Sequence, residues 1–265
     1  MQCEGCSDMT KNFFDNPPIV AMIQCKTADE CIKKIGKSLK DGAEAFGIQL
    51  CQLNREERSE EKLKEIFLAC KGKPIYVTSY RYNQSQGMSD SECADLLIKA
   101  LKCGAVILDV MGDLFDENAY QITEDENAEK HQKKLIDKIH NMGGKVLIST
   151  HDFRELSADE IFNIADIQVK HGADIIKIVV KSESVEMLPE YIKVIQKVNR
   201  EIKKPFLFLD TGACSNMLRK IGGFLGSCMY LCVESHGELD TPQQPTIGQL
   251  KQIRNAMEEK SNGTY

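Results

Sequence analysis

Short apolar segments recur along the chain, and each is followed by a turn and an amphipathic stretch. Eight such segments are present, all close to the length of a β-strand: Pro18–Cys25, Ala45–Leu50, Pro74–Tyr80, Ala105–Met111, Lys145–His151, Asp174–Val180, Pro205–Thr211 and Ser227–Val233. Their nearly continuous apolar character is typical of strands that are buried on both faces, as in a parallel sheet. The pattern therefore predicts an α/β protein built on parallel strands.

The amphipathic stretches between these segments carry the start and stop signals of helices. Hydroxyl residues precede three of them, at Thr27, Ser89 and Ser157, and glycines follow two of them, at Gly104 and Gly172. A Ser or Thr side chain caps the first free N–H groups of a helix, and Gly readily adopts the left-handed conformation that ends one. Helices are thus predicted to alternate with the strands.

Eight strand–helix units in 265 residues predict a single (β/α)8 TIM barrel. An open doubly wound sheet usually carries a glycine-rich phosphate turn after its first strand, and the stretch IQCKTADE contains no such turn. We predict a short N-terminal leader at residues 1–17 and the barrel at residues 18–265.

The composition argues against several classes of partner. The formal net charge is −6, Trp is absent and no long Lys/Arg stripe occurs, so we expect neither nucleic acid nor a membrane as a partner. The N-terminal residues have neither the basic nor the apolar region of a signal peptide, which predicts a cytoplasmic protein.

Cysteines are numerous but do not form a recognisable framework. The 11 cysteines are odd in number and scattered, unlike a short secreted disulfide scaffold. Cys3 and Cys6 have the spacing of half a zinc site, but no matching second pair follows. We therefore predict buried thiols in a reducing compartment and no metal site.

In such barrels the chemistry lies at the carboxyl ends of the strands. Lys177 sits within the apolar segment DIIKIVV, where burial would favour a neutral amine able to attack a ketone; a strand-end lysine that reaches solvent is the alternative. His151 ends the preceding segment and is suited to acid–base work, or it simply bonds to the next loop.

Three further polar residues lie at other strand ends or in the loops that follow them. Arg219 and Arg81 could each clamp a carboxylate through two parallel hydrogen bonds, or could be ordinary surface arginines. Gln244 could donate to a substrate oxygen, or could be a surface loop residue.

Taken together, these residues resemble the type I 3-dehydroquinate dehydratase family. Five motifs carry the resemblance. LISTHDF resembles the family's strand that ends in the catalytic histidine, ADIIKIVV the strand with the Schiff-base lysine, and TSYR the strand end with an arginine that faces the substrate. LRKIGGFLGSCMYLC resembles the segment that leads from an arginine into strand eight, and DTPQQPTIGQL resembles the closing loop. Their order and spacing agree from about Ile19 to Met257.

The resemblance implies a lyase of the shikimate pathway of aromatic amino acid biosynthesis that forms a Schiff base. Lys177 would form an imine with the ring ketone of 3-dehydroquinate. His151 would assist formation and hydrolysis of this imine and move protons during the elimination of water to give 3-dehydroshikimate. Arg219, Gln244 and Arg81 would bind the carboxylate and hydroxyls. The imine is itself an electron sink, so no cofactor is implied. The family commonly forms homodimers.

The sequence departs from the family at substrate-facing positions. A Glu-x-Arg pattern on the second strand is replaced by Gly47 and Gln49, the glutamate expected to partner the histidine is replaced by Met111, and the closing-loop serine is replaced by Asp240. Gln49 and Met111 would then face the substrate, and Asp240 would place a negative charge near its carboxylate.

Two explanations of these departures remain open. Asp113 lies two residues beyond Met111, on the same face of an extended strand, and could act as the acid that partners His151. Alternatively, the pocket accepts a different polyhydroxylated keto acid, in a lyase or aldolase reaction, or the barrel is catalytically silent and serves as a binding module.

Overall fold

Eight parallel strands form the centre of the computed structural model, which describes residues 16–259. The strands are β1 Ile19–Ile23, β2 Ala45–Gln49, β3 Ile75–Thr78, β4 Ile107–Met111, β5 Lys145–His151, β6 Ile175–Val180, β7 Phe206–Asp210 and β8 Tyr230–Cys232. They pair in the order β7-β6-β5-β4-β3-β2-β1-β8. Between β7 and β8, the N–H of Cys228 donates to the carbonyl oxygen of Phe206 at 2.9 Å.

One helix follows each strand and packs outside the sheet. The helices are α1 Ala28–Asp41, α2 Glu60–Ala69, α3 Asp90–Cys103, α4 Glu126–Asn141, α5 Ala158–Lys170, α6 Leu188–Glu201, α7 Ser215–Leu225 and α8 Ile247–Glu259. The predicted (β/α)8 barrel is confirmed. Within the described residues no helix combines the length and apolar character needed to cross a bilayer.

The predicted helix caps at Thr27, Ser89 and Ser157 are present. Each hydroxyl accepts from the N–H three residues later, and the glutamate at that position accepts from the cap residue in return. Gly104 ends α3 with a φ of 117°, a left-handed conformation that costs a residue without Cβ little. Local sequence therefore sets where these helices begin and end.

The predicted domain boundary stays a prediction. Most of the predicted leader, including Cys3 and Cys6, lies outside the described residues. All eight strand–helix units lie between residues 18 and 259.

Two apolar layers sandwich the sheet, one inside the barrel and one beneath the helices. Alternate residues of each strand point inward, so Ile175 and Val179 of β6 join Ile107 of β4 in the inner cluster. By the same alternation Lys177 and Asp109 point inward. Polar side chains thus interrupt the apolar barrel interior.

The loops after β6 and β7 are fastened together by a buried carboxylate. Asp210 accepts from the backbone N–H and the hydroxyl of Ser182, at 2.7 and 2.9 Å, and from the N–H of Gly212 at 2.9 Å. A Cβ on Gly212 would overlap the backbone of Ser182 and lie 2.6 Å from its nitrogen. Glycine is therefore required where these loops meet.

We expect Gly212→Ala to reduce the free energy of unfolding by about 1–3 kcal/mol, because the added carbon forces the two loops apart. Gly36→Ala in α1 is the matched control, since nothing lies within 4 Å of its added carbon; it should be neutral or stabilising by up to about 1 kcal/mol. Urea unfolding measures both. Equal stability of the Gly212→Ala variant and the wild type would contradict the prediction.

Candidate active site

Lys177 lies at the centre of a buried hydrogen-bond network inside the barrel. Its ammonium nitrogen is 2.6 Å from the hydroxyl of Tyr80, 2.9 Å from Oδ2 of Asp109 and 3.0 Å from the hydroxyl of Tyr76. Both tyrosine hydroxyls also donate to Oδ2 of Asp109, and Ser149 donates to Oδ1 at 2.5 Å. An ammonium has three donors, so each finds an oxygen here.

Charge balance accounts for this network. Asp109 is completely buried and Lys177 is 4% exposed. Burial opposes ionisation of Asp109, but the charge of Lys177 and the donors around the carboxylate hold its pKa below the usual range. Burial and the charge of Asp109 raise the pKa of Tyr76 and Tyr80 well above the usual value. Both hydroxyls therefore remain protonated.

The partner of His151 is a glutamine. Oε1 of Gln121 lies 2.9 Å from the backbone nitrogen of His151 and 3.2 Å from its ring Nδ1. A backbone N–H can only donate, so the atom it meets is the amide oxygen, and Nδ1 carries the ring proton. Nε2 is left with a free lone pair, as a general base requires.

The environment of His151 keeps its ring neutral. Burial, followed by the charge of Lys177, lowers its pKa to about 3, although Asp109 opposes the shift. The ring packs edge-on against Tyr80, with 5.1 Å between the centroids. His151 therefore begins any reaction near neutral pH as an unprotonated base.

Arg219 is a buried cation without an ion-pair partner among the described residues. It is 5% exposed, and its Nε donates to the carbonyl oxygen of Asp210 at 2.9 Å. Burial lowers its pKa to about 10, with the nearby charge of Asp210 acting in the opposite direction. A buried charge is costly unless it is paired, so the guanidinium is prepared to bind an anion.

A cavity of about 160 Å³ brings these groups together at the carboxyl ends of the strands. Lys177, His151, Arg219, Gln49 and Gln244, all predicted from the sequence, line it. Oε1 of Gln244 is buried and has no hydrogen-bond partner in the described structure. The cavity thus offers an amine, a base, a cation and an unused amide oxygen.

Three predicted site residues lie elsewhere. Arg81 binds Asp90 through Nε at 2.7 Å and Asp113 through Nη1 at 2.8 Å, and neither Arg81 nor Asp113 lines the cavity. Asp113 therefore does not take the position beside Nδ1 of His151, which Gln121 occupies. Met111 packs in the apolar cluster shared by strands and helices. In this structure none of the three lines the cavity.

The negative charge expected from Asp240 is also neutralised. Asp240 is 7% exposed and pairs with Lys34 of α1, whose Nζ lies 2.6 Å from Oδ2. Beside it, the side chains of Thr241 and Gln24 are hydrogen-bonded at 3.1 Å. The closing loop is thus anchored to the first strand–helix unit, and Asp240 does not line the cavity.

Most of the chain matches a known protein family. A family model described as type I 3-dehydroquinase matches residues 19–261.

The chain belongs to the type I 3-dehydroquinase family. It is 26% identical over 238 residues to a 3-dehydroquinate dehydratase of Klebsiella pneumoniae, covering 86% of this chain and 88% of that protein. A 3-dehydroquinate dehydratase of Aromatoleum aromaticum is 23% identical over 78% of this chain and 76% of its own length. The family predicted from the sequence motifs is confirmed.

Solved structures of 3-dehydroquinate dehydratases share the fold at lower identity. The Geobacillus kaustophilus enzyme superposes with a TM-score of 0.79 at 15% identity and covers 93% of both chains. The Clostridium difficile enzyme, solved with covalently modified comenic acid, has a TM-score of 0.78 at 17% identity, with coverage of 92% of this chain and 94% of that one.

Within this dehydroquinase family member, sequence reasoning missed the groups that surround the lysine and histidine. Tyr76 and Tyr80 lie in a segment assigned only to a strand, and their inward direction depends on the pleat. Gln121 belongs to the long connection between β4 and α4, and its φ of 50° is in the left-handed region. No local pattern brings that side chain to His151.

The described residues of this dehydroquinase-family chain contain no group of three or more His, Cys, Asp or Glu side chains placed to hold a metal ion.

Removing the counter-charge of Lys177 should destabilise the protein. We expect Asp109→Asn to cost about 3–5 kcal/mol, because it leaves a buried ammonium unpaired. The double variant Asp109→Asn/Lys177→Met removes both charges and should be more stable than Asp109→Asn alone. Chemical unfolding of the wild type, Asp109→Asn, Lys177→Met and the double variant measures the coupling energy between the two residues. Strictly additive losses of stability would argue against a buried ion pair.

The neutral histidine should make the protein acid-sensitive. The pKa is about 3 in the folded protein and about 6.5 in an unfolded chain, so between these values only the unfolded chain binds the proton. Stability is therefore complete above pH 6.5 and falls as the pH is lowered towards 3. Between pH 7 and pH 5, the free energy of unfolding of His151→Asn should fall by about 2 kcal/mol less than that of the wild type. Chemical unfolding at each pH measures this, and parallel pH profiles of the two proteins would refute it.

Proposed function

We propose that the protein dehydrates 3-dehydroquinate to 3-dehydroshikimate through an imine on Lys177. The observation that carries the proposal is that one small cavity is lined by both the Lys177 amine and the unpaired, buried Arg219 guanidinium. A keto acid presents a carbonyl and a carboxylate, which suit these two groups. The family match supports the same lyase chemistry.

Each cavity residue has a defined part in the proposed reaction. The carboxylate of the substrate pairs with Arg219, and its hydroxyls bind Gln244 and Gln49. Lys177 forms the imine with the ring ketone. Nε2 of His151 removes the proton next to the imine carbon, and the electron pair flows towards the nitrogen. The electron pair then returns and the hydroxyl leaves as water, with the proton that His151 gives back. Hydrolysis of the imine releases the product and restores Lys177.

A second candidate function has a specific observation in its favour. Arg81 is held by Asp90 and Asp113, and Gly47 and Gln49 stand where the family carries charged side chains. Among the described residues, Arg219 is therefore the one arginine that lines the cavity. A Schiff-base lyase for another polyhydroxylated keto acid would use the same lysine with this reduced set of charges.

We also propose that the protein works in the cytoplasm as a homodimer, without nucleic acid or membrane partners. The nine cysteines within the described residues are free thiols, which supports a reducing compartment. The net charge of −6 speaks against polyanionic partners. Light scattering of the purified protein tests the dimer.

Incubation with 3-dehydroquinate and borohydride, followed by intact-protein mass spectrometry, tests the imine. We expect a single reduced adduct on Lys177, none in Lys177→Met, and ultraviolet absorbance from the conjugated product in the wild type. An adduct without product would favour the second substrate class. Absence of any adduct would overturn the proposal for 3-dehydroquinate.

Arg219→Gln tests recognition of the carboxylate. Loss of a charge-assisted pair costs about 1.5–3 kcal/mol, so KM should rise by roughly 10- to 100-fold. Arg200→Gln is the matched control, because Arg200 is exposed and pairs with Glu201 on the surface of α6. Equal KM values for the two variants would remove Arg219 from the binding site.

A further inference from the structure

The ammonium of Lys177 must lose a proton before it can attack a carbonyl carbon, because a protonated amine has no lone pair. Its nearest oxygen is the hydroxyl of Tyr80, at 2.6 Å. No hydrogen bond joins His151 to Lys177 within the described structure, and Nδ1 of the ring is bonded to Gln121. Oδ2 of Asp109 lies 2.9 Å from the same nitrogen. Asp109 can therefore take this proton directly, and Tyr80 can carry protons between Asp109 and the cavity.

Tyr80 occupies a distinct position among the oxygen partners of Lys177. It lines the cavity together with Lys177, whereas Asp109 and Tyr76 do not. Its hydroxyl donates to Oδ2 of Asp109 at 2.6 Å. Tyr80 thus connects the space where a substrate carbonyl would bind to a carboxylate buried beneath it.

Tyr76 plays a different part because it lies deeper. It is 2% exposed and packs beside Gly47, where an added Cβ would overlap Met22 and lie 3.0 Å from the Tyr76 ring. The glycine therefore makes room for Met22 and Tyr76. Tyr76 holds Asp109 and Lys177 in place without contacting the cavity, which makes it a positioning residue.

We propose that Tyr80 is a further catalytic residue, whose hydroxyl shuttles protons between the reacting groups in the cavity and Asp109 during imine formation. This inference rests on the proposed imine at Lys177. It adds Tyr80 and Asp109 to the groups that move protons during imine formation, while His151 serves as the base of the elimination.

The steps balance without any other reactant. The ammonium gives one proton to the Asp109 carboxylate, whose Oδ2 lies 2.9 Å away, and the neutral amine forms its bond to the carbonyl carbon. The electron pair of the C=O bond moves to oxygen, which receives a nitrogen-bound proton through Tyr80. The resulting hydroxyl then leaves as water, protonated by Tyr80, which is reprotonated by Asp109. A cationic imine and a carboxylate remain, with the same total charge as at the start.

Tyr80→Phe is the direct test, because it removes the hydroxyl and keeps the ring against His151. We expect the rate of imine formation, measured by rapid quenching with borohydride, to fall by on the order of 100-fold, while KM changes little. Tyr191→Phe is the matched control: it removes the hydroxyl of another buried tyrosine, which packs against Phe208 in the layer beneath the helices. An unchanged rate in Tyr80→Phe would overturn the proposal.

A measurement on the wild-type protein keeps the test independent of folding of the variant. In mixtures of light and heavy water, the rate of imine trapping should fall non-linearly with the deuterium fraction, because two protons move together through Tyr80. A linear dependence would indicate a single proton and would contradict the shuttle.

Trapping with pyruvate, a small keto acid, separates this inference from the substrate assignment. If the wild type is trapped by pyruvate but not by 3-dehydroquinate, the substrate assignment fails, and slower pyruvate trapping in Tyr80→Phe would still support the shuttle. If neither compound is trapped on Lys177, both the imine and the shuttle are overturned.

Discussion

The ion pair between Lys177 and Asp109 is the interaction on which the interior of this barrel depends. A lysine on an inward-facing position of β6 is surrounded by apolar side chains, and its charge can be held there only beside an opposite charge with every donor satisfied. Asp109 supplies that charge from β4, and Tyr76 and Tyr80 supply the remaining oxygens from β3 and the turn after it. Four side chains from neighbouring parts of the sheet thus form one unit.

The departures from the family pattern follow from the space and charge around this unit. Gly47 leaves room that Met22 and Tyr76 fill, so a longer side chain at position 47 would displace part of the network. Arg81 is neutralised by two carboxylates away from the cavity. Among the described residues, Arg219 is therefore the arginine that the cavity retains.

The uncharged hydrogen-bond partner of His151 affects the protonation state of its ring. A carboxylate beside Nδ1 would favour the protonated ring, whereas the amide oxygen of Gln121 fixes the tautomer with little effect on charge. With Lys177 and Arg219 nearby, the ring stays neutral and keeps a free lone pair on Nε2. This suits a residue that removes a proton, while the oxygen network around Lys177 handles protons during imine formation.

The sequence by itself determined the fold, the family and the residues that stand at strand ends. Eight apolar segments, helix caps at Thr27, Ser89 and Ser157, and the ordered motifs around His151 and Lys177 depend on local spacing, and local spacing is visible in a linear chain. Gln49, Arg219 and Gln244 were also predicted, and they line the cavity.

Only the tertiary structure decided which side chains meet. Gln121 reaches His151, whereas Asp113 and Met111 do not, because the long loop between β4 and α4 folds back over the barrel. Arg81 turns to Asp90 and Asp113, Lys34 neutralises Asp240, and Tyr76 and Tyr80 converge on Lys177 from another strand. These pairings join residues far apart in the chain, and they depend on the pleat, the stagger of the strands and the space left by Gly47, none of which has a local signature.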